Sequence, residues 1–355
     1  MRHLRCTSPG HVSRDELKHR LKSCRISLVV TSKLFRFSSY PVACLFALLL
    51  LFVSLGLTQA LFPQTVSKPA VPARLSLQPL KTFPGDVLRA DLKVAKGVEA
   101  VNVFFDSQRI AFQPGASARE WLGLVGIDLE AKPGRYSLKG TVGFTDGQKV
   151  ELEQAFQVLP KSFPVQRIQV EEKYVTLDPK AEKRAEEESK KLKAIWETST
   201  PQKLWQGRFL SPVASQLTSG FGRRRIVNNQ FRSPHSGVDL KATTGTPIKA
   251  GNTGKVVLAE DLYFSGNTIV LDHGLGLYTF YAHCSTMAVN PGDMVTRGQV
   301  IAEVGATGRV TGPHLHWACR LNEARVNPLE LTKVWMAEEA STTSQIQKRR
   351  GTQPE

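Results

Sequence analysis

From residue 75 to residue 332 the chain is written as short runs of alternating apolar residues cut by glycine- and proline-led turns, a pattern that buries its apolar side as β-sheet. Leu88, Ala90, Leu92 and Val94 alternate, as do Val101, Val103 and Phe105, and again Tyr136, Leu138, Gly140 and Val142. Asp146-Gly147 reads as a hairpin turn before a further strand near Val150 and Leu152, and Pro84-Gly85 and Pro133-Gly134 mark other turns. Residues 75–160 therefore read as a small immunoglobulin-like β-sandwich. After an interruption the same pattern returns over residues 207–332, with almost no helical periodicity. The fold class expected is mainly β: an N-terminal sandwich, a helical linker and a C-terminal all-β domain.

The interruption covers residues 161–206, and within it residues 178–196 change character. Asp178 suits an N-cap, Pro179 the first helical position, and the Ala, Glu and Lys beyond them favour helix. With few apolar residues, this helix is expected to be mostly solvated and to lie within a linker of residues 161–206. Residues 61–74, rich in proline, read as another linker, and residues 333–355 as a polar, disordered tail. No fixed-period repeat is present.

Charge matters at the N-terminus. The formal net charge is +16, and residues 1–41 alone carry nine Lys or Arg against two acidic residues. Residues 42–60, VACLFALLLLFVSLGLTQA, come next without a charged side chain. A basic arm before an apolar stretch predicts a cytoplasmic arm and export of the chain from about residue 61 onward. Two readings stay open: an uncleaved membrane anchor, or a signal peptide cleaved after Ala60, where small residues suit a peptidase. The arm is long for a signal peptide, so a start codon assigned too far upstream is a further reading. The expected location is the periplasm, or the inner membrane with the later domains outside the cytoplasm.

Five of the eight histidines fall between residues 235 and 316. RSPHSGVDL carries His235 and Asp239, LDHGLGLYTFYAHCS carries His273 and His283, and TGPHLHW carries His314 and His316. In a strand, residues i and i+2 share a face, so His314 and His316 reach one site together while Leu315 points away. His235, Asp239 and one histidine of that pair supply two neutral imidazoles and a carboxylate, a donor set that zinc takes in catalytic sites. The other histidine of the pair, with His283, is then left for proton transfer.

Taken together, HxxxD at 235–239, YxH at 281–283 and HLH at 314–316 resemble the LytM/lysostaphin-type zinc metallopeptidases, which cut peptides of bacterial peptidoglycan. The resemblance runs over most of residues 211–331, through LTSGFGRR, GTPIKAGNTGKVV, IVLDHGLGLYTFYAH and NPGDMVTRGQVIAEVGATGRVTGPHLHW. It implies one Zn2+ per chain held by His235, Asp239 and His316, with His283 and His314 as the catalytic pair and no other cofactor. Peptide-bond hydrolysis by a zinc-bound water is the implied reaction. His273 matches a position that does not bind metal. Peptidoglycan peptide is the expected substrate, with no nucleic-acid partner and a membrane contact only if residues 42–60 are retained.

Two departures bear on this expectation. Cys284 and Cys319 stand where the family often has aliphatic residues, and in an oxidising compartment they either pair or pack as free thiols. Some relatives of the family lose ligands and act as activators of other wall hydrolases, the alternative reading here; no such loss appears at HxxxD or HLH. The stretch GDMVTRGQVIAEVGATG also resembles turns of lipoyl-carrier and sugar-phosphotransferase domains, which the leader and the HxxxD block argue against.

Overall fold

A computed structural model of the chain describes residues 72–333, apart from 116 and 199. The readings of the arm, the apolar stretch 42–60 and the tail beyond residue 333 lie outside the described residues. Among the described residues no helix is long and apolar enough to cross a membrane.

The N-terminal part is a two-sheet sandwich. One sheet orders its strands Ala73–Gln78, Val87–Val94, Glu120–Gly126, Phe112–Pro114; the other orders Lys81–Thr82, Lys149–Val158, Gly134–Phe144, Val98–Phe105, Gln108–Ile110. The first strand thus begins in one sheet and continues in the other, where Lys81–Thr82 pairs in parallel with the last strand. Apart from this switch, the order is that of immunoglobulin-like sandwiches. The alternation read from the sequence sorts the faces: Leu88, Leu92, Val103, Leu138 and Val142 are fully buried between the sheets. Asp146-Gly147 makes the hairpin, with Gly147 at φ +81°.

Residues 161–206 do more than link. Val165–Ile168 forms a strand parallel to Arg224–Val227, and a single 3₁₀ turn spans Glu172–Tyr174. The helix Pro179–Glu197 comes next, its Asp178 side chain accepting from the backbone N–H of Lys180 and Ala181. Most of its surface is solvated, as its composition requires. Its Leu192, Ile195 and Trp196, however, pack on Leu258 and Tyr278, and Arg184 and Lys191 pair with Asp261 and Glu260. The helix therefore lies against the C-terminal body.

That body is a ten-stranded sheet whose central path runs Leu217–Ser219, Gly237–Lys241, His314–Leu321, Leu277–Met287, Gly266–Asp272, Gly254–Leu262, Met294–Val295. Its core holds Val238, Ile248, Ile269, Tyr281, Leu315 and Trp317. A second cluster belongs to both halves of the molecule: Val87 and Leu124 of the sandwich pack with Leu275, Leu277, Leu321 and Val326. Beside it, the Arg325 guanidinium clasps Asp128 through Nε at 3.0 Å and Nη2 at 2.6 Å.

Cys284 and Cys319 are buried free thiols. Cys319 faces Thr279 across the strand pair, five residues along from Cys284, roughly 16 Å at strand rise, and the two sit in different clusters. Burial pushes both thiols up, Cys284 to about 12.

Candidate metal centre and catalytic cleft

Three adjacent antiparallel strands build the site: Gly237–Lys241, His314–Leu321 and Leu277–Met287. Register sets Asp239 opposite His316, and His316 opposite Ala282 on its other side. Leu315 and Trp317 are fully buried in the core, so the period of two turns His314 and His316 to the opposite face.

His283 reaches that face by breaking the period. In a regular strand it would share a side with Tyr281, which is buried in the core with its hydroxyl accepting from the Gly251 N–H at 2.9 Å. Between Tyr281 and Cys284 the strand carries one residue more than its partner, and His283 takes φ +66°. This bulge puts Tyr281 and Cys284 in the core and turns Phe280 and His283 to the cleft. A left-handed backbone at a non-glycine residue must be held by its surroundings. Here the His283 N–H donates to Ser265 O, its Nδ1 to Thr307 O, and Thr307 Oγ1 to Cys284 O, each at 2.9 Å.

The same device orients two more imidazoles. His235 Nδ1 donates to Gly220 O at 3.1 Å and His314 Nδ1 to Gly312 O at 2.8 Å. A carbonyl only accepts, so in the neutral rings the proton sits on Nδ1 and Nε2 presents a lone pair. All five candidate residues come together. His235 Nε2, Asp239 Oδ1 and His316 Nδ1 lie 2.8 to 3.0 Å from one another, the rings of His283 and His314 are 4.9 Å apart, and His314 Nε2 is 3.8 Å from Asp239 Oδ1. His273 is fully buried elsewhere, its Nδ1 donating to Thr253 O.

Burial lowers His283 to about 3 and His316 to about 4, so both are neutral near pH 7. Burial acts oppositely on Asp239, but the polar neighbours of its carboxyl more than offset it and hold it well below its usual range. The donor chemistry fits a cation. Because His235 Nδ1 gives its proton to Gly220 O, its Nε2 turns a lone pair toward Asp239 Oδ1, and His316 Nδ1 can bridge at most one of the three contacts. What remains is a face of converging lone pairs from two imidazoles and one carboxylate, the set Zn2+ takes.

Sequence reading missed the arginines around this face. Arg225, from Arg224–Val227, donates Nη2 to Asp239 Oδ2 at 2.9 Å and so leaves Oδ1 for the donor face. Arg232 and Arg309 line the same cleft of about 480 Å³, beside Phe264 and Phe280. The GRRR run signals positive charge near His235, but nothing in it distinguishes Arg225 from its neighbours, and Arg309 lies in a separate loop.

Residues 233–328 match the family model described as peptidase family M23. A crystal structure described as a peptidase M23 from Pseudomonas aeruginosa is 34% identical with a TM-score of 0.56, covering 70% of this chain and 94% of that one. The chain belongs to peptidase family M23. At 70% of the chain, the likeness to that M23 structure extends beyond the residues the family model matches. Two curated relatives are similar over shorter stretches. DD-carboxypeptidase/endopeptidase Mpg of Neisseria meningitidis is 35% identical over 140 residues, 38% of this chain and 32% of its own length. Peptidoglycan DD-endopeptidase ShyA of Vibrio cholerae is 38% identical over 122 residues, 34% of this chain and 28% of its own. The chain thus spans about a third of the length of these relatives.

Proposed function

We propose that this M23 peptidase is a zinc endopeptidase that hydrolyses peptide bonds in bacterial peptidoglycan, at the cross-link between D-configured residues. The observation that carries the reading is the convergence of His235 Nε2, Asp239 Oδ1 and His316 Nδ1 within 3.0 Å of one another, beside two further histidines. The names of Mpg and ShyA favour the DD bond over a glycine bridge.

His235, Asp239 and His316 would hold the metal. Zinc bound there supplies Lewis acidity, which makes water more acidic and the scissile carbonyl more electrophilic. The chain's own residues handle the proton. His314, its tautomer set by Gly312, offers the Nε2 lone pair to the attacking water, and the imidazolium formed sits 3.8 Å from Asp239 Oδ1, which stabilises it. That proton is then available for the leaving amine. His283, kept neutral by burial, offers a second lone pair and orients a hydrogen-bond donor in the cleft. Arg225 steadies Asp239 from behind. The leader read at residues 42–60 would place this chemistry outside the cytoplasm, where its substrate is.

The test is incubation of the zinc-loaded full chain with isolated sacculi, with and without a chelator, and mass spectrometry of the released fragments. Loss of cross-linked dimers with new amine termini, blocked by chelator, is the expected result. Intact sacculi would overturn the reading.

A further inference from the structure

The cleft beside the donor face carries three arginines, and among the described residues no Asp or Glu lines it. Arg225 is spoken for by Asp239, and Arg232 is held by Val175 O at 3.0 Å and Gln230 Oε1 at 2.8 Å. Among the described residues Arg309 has no carboxylate partner; its guanidinium lies over the Phe264 ring, 4.5 Å from the centroid. A guanidinium held over a ring face keeps its N–H donors for other partners, and a guanidinium fork can grip a carboxylate with two hydrogen bonds. The loop that carries it is fastened at its base. Arg309 N donates to Phe264 O at 2.8 Å, and Gly308, at φ +74°, passes so close to Gly266 that an added Cβ would lie 2.4 Å from the Gly266 nitrogen.

The arrangement is costly without a counter-ion. Burial and the neighbouring charges of Arg225 and Arg232 lower Arg309 to about 10. Arg225 Nε and Arg232 Nε are buried without a hydrogen-bond partner among the described residues. Partly desolvated like charges with spare donors, in the cleft that also holds His283 and His316, favour an anion arriving with the substrate.

We infer that Arg309, with Arg232 beside it, forms a carboxylate subsite that selects acidic peptides, binding a free carboxylate of the substrate near the scissile bond. This rests on the peptidase reading above and adds a specificity to it: amidation of that carboxylate would weaken recognition.

The test measures binding of a labelled, uncross-linked stem peptide and of its amidated counterpart to the zinc-loaded full chain by fluorescence anisotropy. Wild type should bind the free acid on the order of tenfold more tightly, as for a charge-assisted hydrogen bond, and the gap should narrow with salt. Arg309→Gln should abolish the gap, so that the penalties of amidation and of substitution do not add, while Arg309→Lys keeps part of it. Equal binding of the two peptides by wild type overturns the inference without any variant. So does a preference that persists in Arg309→Gln, which would place it at the metal or elsewhere. If sacculi stay intact while the Arg309-dependent preference stands, the endopeptidase reading falls and the acidic-peptide site survives; cleavage without preference does the reverse.

Discussion

At the scale of the residue, the site is a set of imidazoles whose protons have been assigned by backbone carbonyls. Gly220, Thr307 and Gly312 each take an Nδ1–H, and three Nε2 lone pairs are left for chemistry. His314 and His316 sit two residues apart, the proposed function gives them different duties, and substitution should separate them. His316→Ala should lose zinc and activity together; stoichiometric zinc retained on metal analysis would remove it from the ligand set. His314→Ala should keep zinc while turnover falls on the order of a hundredfold, the scale of a lost acid–base group. Turnover near wild type would move the proton elsewhere. Arg225 acts through Asp239. Arg225→Met should weaken zinc affinity ten- to a hundredfold, as loss of a partner behind a ligand typically does. Competition with a chromogenic chelator reads this, and unchanged affinity would show that Asp239 needs no such support.

At the scale of the element, the alternation of HLHW could be read directly, because Leu315 and Trp317 go into the core and the histidines do not. The parity of YAH misleads. Tyr281 and His283 share a face in any regular strand, and only the extra residue before Cys284 separates them. That bulge is set by Ser265 and Thr307, residues distant in sequence, so the three letters hold no trace of it. The solvated character of the Pro179–Glu197 helix was legible in its charge, but its docking depends on Trp196 meeting Tyr278, which composition does not reveal. Gly237 shows a tighter constraint. A Cβ there would lie 2.5 Å from Trp317 O and 2.8 Å from His316 Cε1, so the neighbouring strand must give way at a candidate ligand. Gly237→Ala should therefore cut turnover on the order of a hundredfold, the cost of displacing a reacting group by about 1 Å, with the strand content by circular dichroism retained. Full turnover in this variant would mean that the strands can part here without moving His316.

At the scale of the whole molecule, sequence reading separated two β regions and stopped there. Their shared cluster was not legible because Val87, Leu124, Leu321 and Val326 each look like ordinary core residues of their own half. An interface with a hydrophobic centre resists the relative motion that is usual between domains. Arg325 adds a charged clasp on Asp128, with a further contact to Glu130 at 2.5 Å. Arg325→Met should lower stability by about 2 kcal/mol, read as a shift in the urea midpoint. An unmoved midpoint would leave the apolar cluster as the whole of the join. The physically closed unit is thus much longer than the 233–328 stretch that carries the family match. A fragment cut to that stretch would leave Leu321 and Val326 without their partners across the join. A graft of the candidate cleft that kept its packing intact would have to carry the sandwich strands that supply Val87 and Leu124 as well.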